Sequence, residues 1–308
     1  MSEHLSSWRN GAAKQAILDF VASVVNPDLP TFVPLADRIA TLDNDGCCWC
    51  EKPTYAQFYF AIARLKQMAT DDPSLLKKPE YKAAYDDDMA YFVKLDPHMG
   101  GNVDLLKSIV FETHTGMSDD EFCKMAHDFL TTAKHPRYHV LFHEMYYQPM
   151  AELIRYLQAN GFKVFICSAG GITFIRSVAE DIYNIAKERV IGTNIGFETK
   201  MTDDGPVVMR TEDFLSPIDD GPGKPVNIQA HVGRKPIFAG GNSDGDLHML
   251  WLAETNSHPS FSMLVHHDDE EREYAYDIGS EKTLRMAPEH GWTVVSMKED
   301  WARIFPWE

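Results

Sequence analysis

The sequence predicts an α/β fold, a doubly wound (Rossmann-like) parallel sheet interrupted after its first strand by a helical insertion. Three observations predict it. Apolar, β-prone runs at "RIATL" (Arg38 to Leu42), in "FKVFICSAGG" and in "RKPIFAGG" each end in a turn of Asp, Ser, Asn and Gly residues, the outline of a buried strand feeding a loop. Helix, strand, small-residue loop and helix follow one another in "MYYQPMAELIRYLQANGFKVFICSAGGITFIRSVAEDIYNIA", which is the unit of a parallel sheet. From about Tyr55 to Phe142 the strand pattern gives way to stretches such as "YAQFYFAIARLKQMA" and "SDDEFCKMAHDFLTTA" with apolar residues at helical spacing. These limits divide the chain into a core of residues 1–54 and 143–308 and a helical segment of residues 55–142.

Taken in order, Ile17, Phe20, Val21 and Val24 share one face of an N-terminal helix. The segment has no basic start leading into an unbroken apolar block, so it reads as part of the fold rather than as a secretory signal, and a cytoplasmic setting is expected. The helix "MYYQPMAELIRYLQANG" closes with Gly161 just past its C-cap. "ITFIRSVAEDIYNIA" reads as one amphipathic helix, and "IGFETKMTDDGPVVMRT" as a hairpin about an Asp-Asp-Gly turn. "SFSMLVHHDD" is a further apolar strand with a polar end, and "WTVVSM" an edge strand.

Composition narrows the function. The 308 residues are 44% hydrophobic, and no apolar run reaches the roughly 18 residues that a membrane span requires. A formal net charge of -17 argues against nucleic acid or an anionic membrane as partner, because those need clustered Lys and Arg. An anionic substrate would then need a local cation. Five cysteines, three of them crowded at Cys47, Cys48 and Cys50, make no disulfide framework. They lack the C-x-x-C spacing of a zinc site and are expected to pack.

Three strand ends carry the chemistry-bearing side chains: Asp43 and Asp45 after the first, Ser168 after the second, and Asn242, Asp244 and Asp246 after the third, with Lys224 between the second and third. "LDNDG", "CSAGG", Lys224 and "GGNSDGDLHML" together resemble, in order and spacing, the four motifs of the haloacid dehalogenase (HAD) superfamily. The likeness is to its phosphoserine-phosphatase-like branch, runs from about Arg38 to Val265, and puts the helical segment where a type-1 cap is inserted. The resemblance implies an α/β doubly wound sheet of the HAD type and a Mg2+-dependent phosphomonoester hydrolase acting on a small phosphorylated metabolite. It assigns Asp43 as the nucleophile that forms an aspartyl-phosphate and Asp45 as the general acid/base. Ser168, the backbone at Ala169 and Lys224 hold the phosphoryl oxygens, with Lys224 also shielding Asp43. Mg2+ falls to Asp43, Asp45, Asn242 and Asp246, with Asp244 a further candidate. An Asp at 45 points to a phosphatase or phosphomutase rather than to a dehalogenase or transport ATPase.

The sequence departs from that pattern at two places. Cys47 stands where Thr is usual and is a weaker hydrogen bonder. Asn242 stands where an Asp ligates the metal and brings no charge. Two other readings follow, a phosphotransferase or phosphomutase of the same fold and a weakly active or non-catalytic phosphate-binding protein. Glu51 lies one position from the Glu that reads the substrate amine in phosphoserine phosphatases and Lys52 occupies its place, so serine specificity is not carried over. The run from His266 to Glu271 reads as solvated charge after a strand, with the two histidines able to border the site. Tyr55, Tyr59, Tyr146 and Tyr147 read as cap and core aromatics.

Overall fold

The computed structural model describes residues 5–95 and 101–308; residues 1–4 of the predicted core segment and 96–100 of the predicted helical segment lie outside the described residues. Among the described residues eight strands form, β1 (Ile39–Leu42), β2 (Lys163–Gly171), β3 (Val190–Thr193), β4 (Ile195–Thr202), β5 (Gly205–Phe214), β6 (Phe238–Gly241), β7 (Phe261–His266) and β8 (Thr293–Ser296). Six make one sheet in the order β3-β2-β1-β6-β7-β8, every pair parallel. All four residues of β1 are buried, as a central strand covered on both faces requires. The predicted edge strand is β8.

Helices cover both faces. Alternate strand residues Ala40, Leu42, Val164, Ile166, Phe238 and Met263 point into one core with α1 (Ala12–Val25). Cys167, Ile191, Ala239 and Leu264 point the other way, the period-two alternation of a strand. Helix α1 buries Ile17, Val21 and Val24, and Phe20 leans on the rings of Phe238 and Phe261.

Between β1 and β2 run α2 (Ala56–Asp71), α3 (Pro79–Tyr85), α4 (Met89–Val93), α5 (Val103–His114), α6 (Asp119–Thr132) and α7 (Gln148–Ala159). Leu65, Tyr81, Phe92 and Ile109 give α2 to α5 a small core of their own. The β4–β5 hairpin, which the sequence leaves in segment 143–308, docks on this helical layer. Arg210 donates its backbone N–H to Met117 O at 2.9 Å and Nε to His114 O at 2.7 Å, pairs with Asp119 and lies over the Phe122 ring at 3.8 Å.

One element differs from expectation. "ITFIRSVAEDIYNIA" forms two short helices, α8 (Ile172–Arg176) and α9 (Ala179–Tyr183). Ser177 Oγ donates to Phe174 O at 2.7 Å, offering the backbone a competitor at the break, and Asn184 in the left-handed region ends the second piece. The remaining helices are α10 (Gly223–His231), α11 (Leu247–Glu254), α12 (Glu281–His290) and α13 (Met297–Asp300). No helix among the described residues is long and apolar enough to cross a membrane.

Candidate active site

Leu42, the last residue of β1, lies beside Ile166 of β2 and Gly240 of β6. Asp43 therefore emerges at the carboxyl edge between strands whose connections run to opposite sides, where open α/β sheets bind ligands. The loop that follows is wound tightly. Asn44 O accepts the N–H groups of Cys47, Cys48 and Trp49 at 3.2, 2.7 and 3.0 Å, and Gly46 N–H donates to Trp49 O at 2.8 Å. Gly46 has φ +78°, and a Cβ there would come within 2.1 Å of Asn242 Nδ2, so the position requires glycine.

This winding brings the expected side chains together. Trp49 Nε1 donates to Asp45 Oδ1 at 2.7 Å and Ser168 Oγ to Asp45 Oδ2 at 3.3 Å. Ser168 lies within β2 rather than beyond it; Gly170 N–H in turn donates to Ser168 Oγ at 3.1 Å, and Ala169 between them is exposed where the pairing with β3 is irregular. Lys224, reaching in from α10 and 1% exposed, spends its three N–H bonds on Asp43 Oδ1 at 2.6 Å, Asp246 Oδ1 at 2.7 Å and Cys167 O at 2.7 Å.

The electrostatics follow from burial. Desolvation and then the Asp246 carboxylate push Asp43 well above the ordinary carboxylate range, and the Lys224 ammonium draws it back. Burial alone would lower Lys224, but the Asp246 and Asp43 carboxylates outweigh it and hold the ammonium well above its usual value. Asp45 is partly exposed, yet the surrounding protein desolvates it enough to raise its pKa to about 6, against the hydrogen bonds from Trp49 and Ser168.

The third strand end departs from expectation. Asp246 Oδ2 accepts Asn242 N–H, Ser243 N–H and Ser243 Oγ at 2.9, 3.0 and 3.2 Å, and Oδ1 accepts Lys224. Asp246 thus anchors Lys224 through Oδ1 while Oδ2 gathers the turn after β6. Asp244 is turned elsewhere, accepting Thr283 N–H at 2.7 Å and Thr283 Oγ1 at 2.9 Å where α12 begins. Asp244→Ala is expected to cost about 1 kcal/mol of stability, the usual loss of a side-chain cap, read by urea unfolding.

Asn242 is the residue that fits a cation. It is 3% exposed, and its Oδ1 is a buried oxygen with no hydrogen-bond partner, beside a loop that carries the Asp43 carboxylate. A buried acceptor left open is costly, and here two buried carboxylates, Asp43 and Asp246, share one ammonium. Oxygen donors, a surplus of negative charge and an unmet acceptor suit Mg2+, which keeps several waters and needs few protein ligands. Asp43, Asn242 and the Asp45 carbonyl are the groups that would hold it. Among the described residues, no cluster of three or more His, Cys, Asp or Glu forms a separate metal cage.

Cys47, Cys48 and Cys50 are buried in the core and unbridged, as expected of packing residues. The acidic run after β7 is not simply solvated. His267 and Glu273 are 2% and 0% exposed, and Asp269 is buried too, because the segment folds back under the Asp43 loop. Of the two histidines, His266 stays at the surface, 2.8 Å from Asp277. Sequence reasoning also missed Gln57, whose Oε1 accepts Gly171 N–H at 2.7 Å while its Nε2 lies 3.1 Å from His114 Nε2. Nothing in local pattern marks Gln57. Its role comes from the helical layer meeting the end of β2.

No protein-family model and no curated protein matches the sequence. Among solved structures, the chain is similar to a conserved protein of unknown function from Anaerococcus prevotii, at 16% identity over 92% of this chain and 91% of that one, with a TM-score of 0.55. It is similar to a protein of unknown function from Bordetella pertussis at 14% identity over 84% and 98%, with a TM-score of 0.52. A more distant likeness is to a phosphoserine phosphohydrolase-like protein from Francisella tularensis, at 15% identity over 84% and 94%, with a TM-score of 0.42. At these identities the likeness concerns the fold.

Proposed function

We propose that the fold is of the haloacid dehalogenase type in its phosphoserine-phosphatase-like form, and that the protein is a Mg2+-dependent phosphomonoester hydrolase acting on a small phosphorylated metabolite. The observation that carries this reading is the Asp43, Lys224 and Asp246 cluster at the carboxyl edge of the sheet, with Asp45 two residues away in an environment that raises it to about 6.

A phosphomonoester resists water because its anionic oxygens repel nucleophiles. In this reading an Asp43 oxygen bonds to phosphorus as the ester P–O bond breaks, and Asp45 passes its proton to the departing alkoxide. Asp45 then takes a proton from the water that attacks phosphorus, which releases phosphate and restores the Asp43 carboxylate. A raised pKa suits a group that must hold a proton in one step and accept it in the next. Trp49 and Ser168 fix its two oxygens. In this reading the Ser168 hydroxyl, turned from Asp45, and the backbone at Ala169 would hold the transferring oxygens, and Lys224 offsets charge on Asp43. Mg2+ at Asp43, Asn242 and the Asp45 carbonyl would neutralise charge on the bound phosphate.

Hydrolysis of p-nitrophenyl phosphate with and without Mg2+ tests the reading. Metal-dependent turnover that disappears in Asp43→Asn is expected; metal-independent release, or an unaffected variant, contradicts it. The neutral amide at 242 supports a second expectation, that Mg2+ binding is weak. Asn242→Asp should lower the Mg2+ concentration needed to raise the melting temperature. Glu51 Oε1 stands 3.5 Å from Asn242 Nδ2 and would repel the new carboxylate, so the gain should be larger in a Glu51→Gln background.

A further inference from the structure

We propose that His267, braced by Glu273, is a positioning residue that fixes the backbone just after Asp45 from beneath the loop, and that it does so as a buried imidazolium. The inference rests on Asp45 being the proton-transferring group of the reaction proposed above.

The geometry is a chain of directed hydrogen bonds. His267 Nε2 is 2.7 Å from Gly46 O, and a carbonyl oxygen only accepts, so Nε2 carries hydrogen. His267 Nδ1 is 3.2 Å from Glu273 Oε2, which also accepts Tyr274 N–H at 2.6 Å. Glu273 Oε1 lies 3.0 Å from Cys50 Sγ and 3.2 Å from Tyr147 OH. With three other donors aimed at it, Glu273 is the acceptor, and the hydrogen between the two groups belongs to the ring. Burial would raise Glu273, but the hydrogen bond and charge of His267, then Cys50 and the Tyr274 N–H, hold it below the usual range. The Tyr276 ring stacks on the imidazole at 4.3 Å and 24°, and its hydroxyl donates to Glu51 at 2.6 Å.

What the imidazolium holds follows from peptide geometry. Gly46 N–H is committed to Trp49 O, so in a trans peptide the Asp45 carbonyl points the opposite way. The next peptide is the one whose oxygen His267 holds. Two successive peptide planes after Asp45 are thus set, the first from within the loop and the second both from within, by the longer Cys47 N–H bond to Asn44 O, and from below by His267. Gly46 has the positive φ that gives the backbone most freedom to turn, so this is where an external hold has the most effect. It also explains how the loop is fixed although residue 47 is Cys.

The test uses His267→Gln, which keeps one donor but not the charge, and His267→Phe, which keeps the stack but no donor. In wild type, nitrogen NMR of the histidines should show one ring protonated on both nitrogens that is absent from both variants. The Trp49 indole N–H, bonded to Asp45, should shift in both variants whether or not any substrate turns over. With p-nitrophenyl phosphate, kcat should fall by about 10–100-fold in His267→Phe, the usual cost of losing such a support. KM should move little, and His267→Gln should recover part of kcat. A neutral ring in wild type overturns the proposal, as does an unmoved Trp49 signal with wild-type kcat. Shifted signals in a protein without phosphatase turnover would leave the positioning role standing and refute the reaction instead.

Discussion

Lys224→Met is expected to abolish turnover and to destabilise the protein by about 3–5 kcal/mol, the range found when one partner of a buried ion pair is removed. Methionine matches the lysine stem in length, so packing is roughly kept and the loss is that of the charge. Asp43 and Asp246 would then face each other in a dry site with no ammonium between them. The Cys167 carbonyl would also lose its donor. Urea unfolding and steady-state kinetics read the two effects. A variant as stable as wild type would mean that water or another cation already offsets those carboxylates.

Asp43→Asn should behave oppositely in stability. Turnover is expected to fall by about a thousandfold or more, because the attacking carboxylate is lost while binding groups remain. Stability should hold or rise, since the near-isosteric amide removes one of two carboxylates competing for Lys224 and ends the cost of burying that charge. In the double variant Lys224→Met/Asp43→Asn part of the stability lost with Lys224 should return, a coupling that unfolding measurements on all four proteins isolate. Simple addition of the two single effects would contradict the charge balance drawn for this cluster.

Local pattern accounts for much of this site. "RIATL" running into Asp-Asn-Asp-Gly names a buried strand and the turn after it, and Asn242 after β6 follows the same logic, whereas Ser168, expected past its strand, lies within β2. Asp43 and Lys224 do share a hydrogen bond, and so do Asp45 and Ser168. Direction was not legible in the acidic motif. Asp244 and Asp246 lie two apart in a single turn, and only the packing of α12 and the buried Lys224 decide that one caps a helix and the other anchors the ammonium. His267 and Glu273 were hidden for a related reason. A run of His, Asp and Glu after a strand looks solvated until the chain folds it under the Asp43 loop, and burial of a charge is a tertiary property with no periodic trace. The break between α8 and α9 likewise came from the Ser177 hydroxyl competing for a backbone carbonyl, against a spacing that favours one helix.

In the proposed reaction Asp43 takes the phosphoryl group. Turnover of a radiolabelled phosphomonoester in Mg2+, quenched in acid and digested, tests it most directly. Acid-stable label is expected in the peptide carrying Asp43, lost on mild alkaline treatment as an acyl phosphate should be, and absent from Asp43→Asn. Label on any other residue, or turnover with none retained on the protein under conditions that trap half-reacted enzyme, would contradict it.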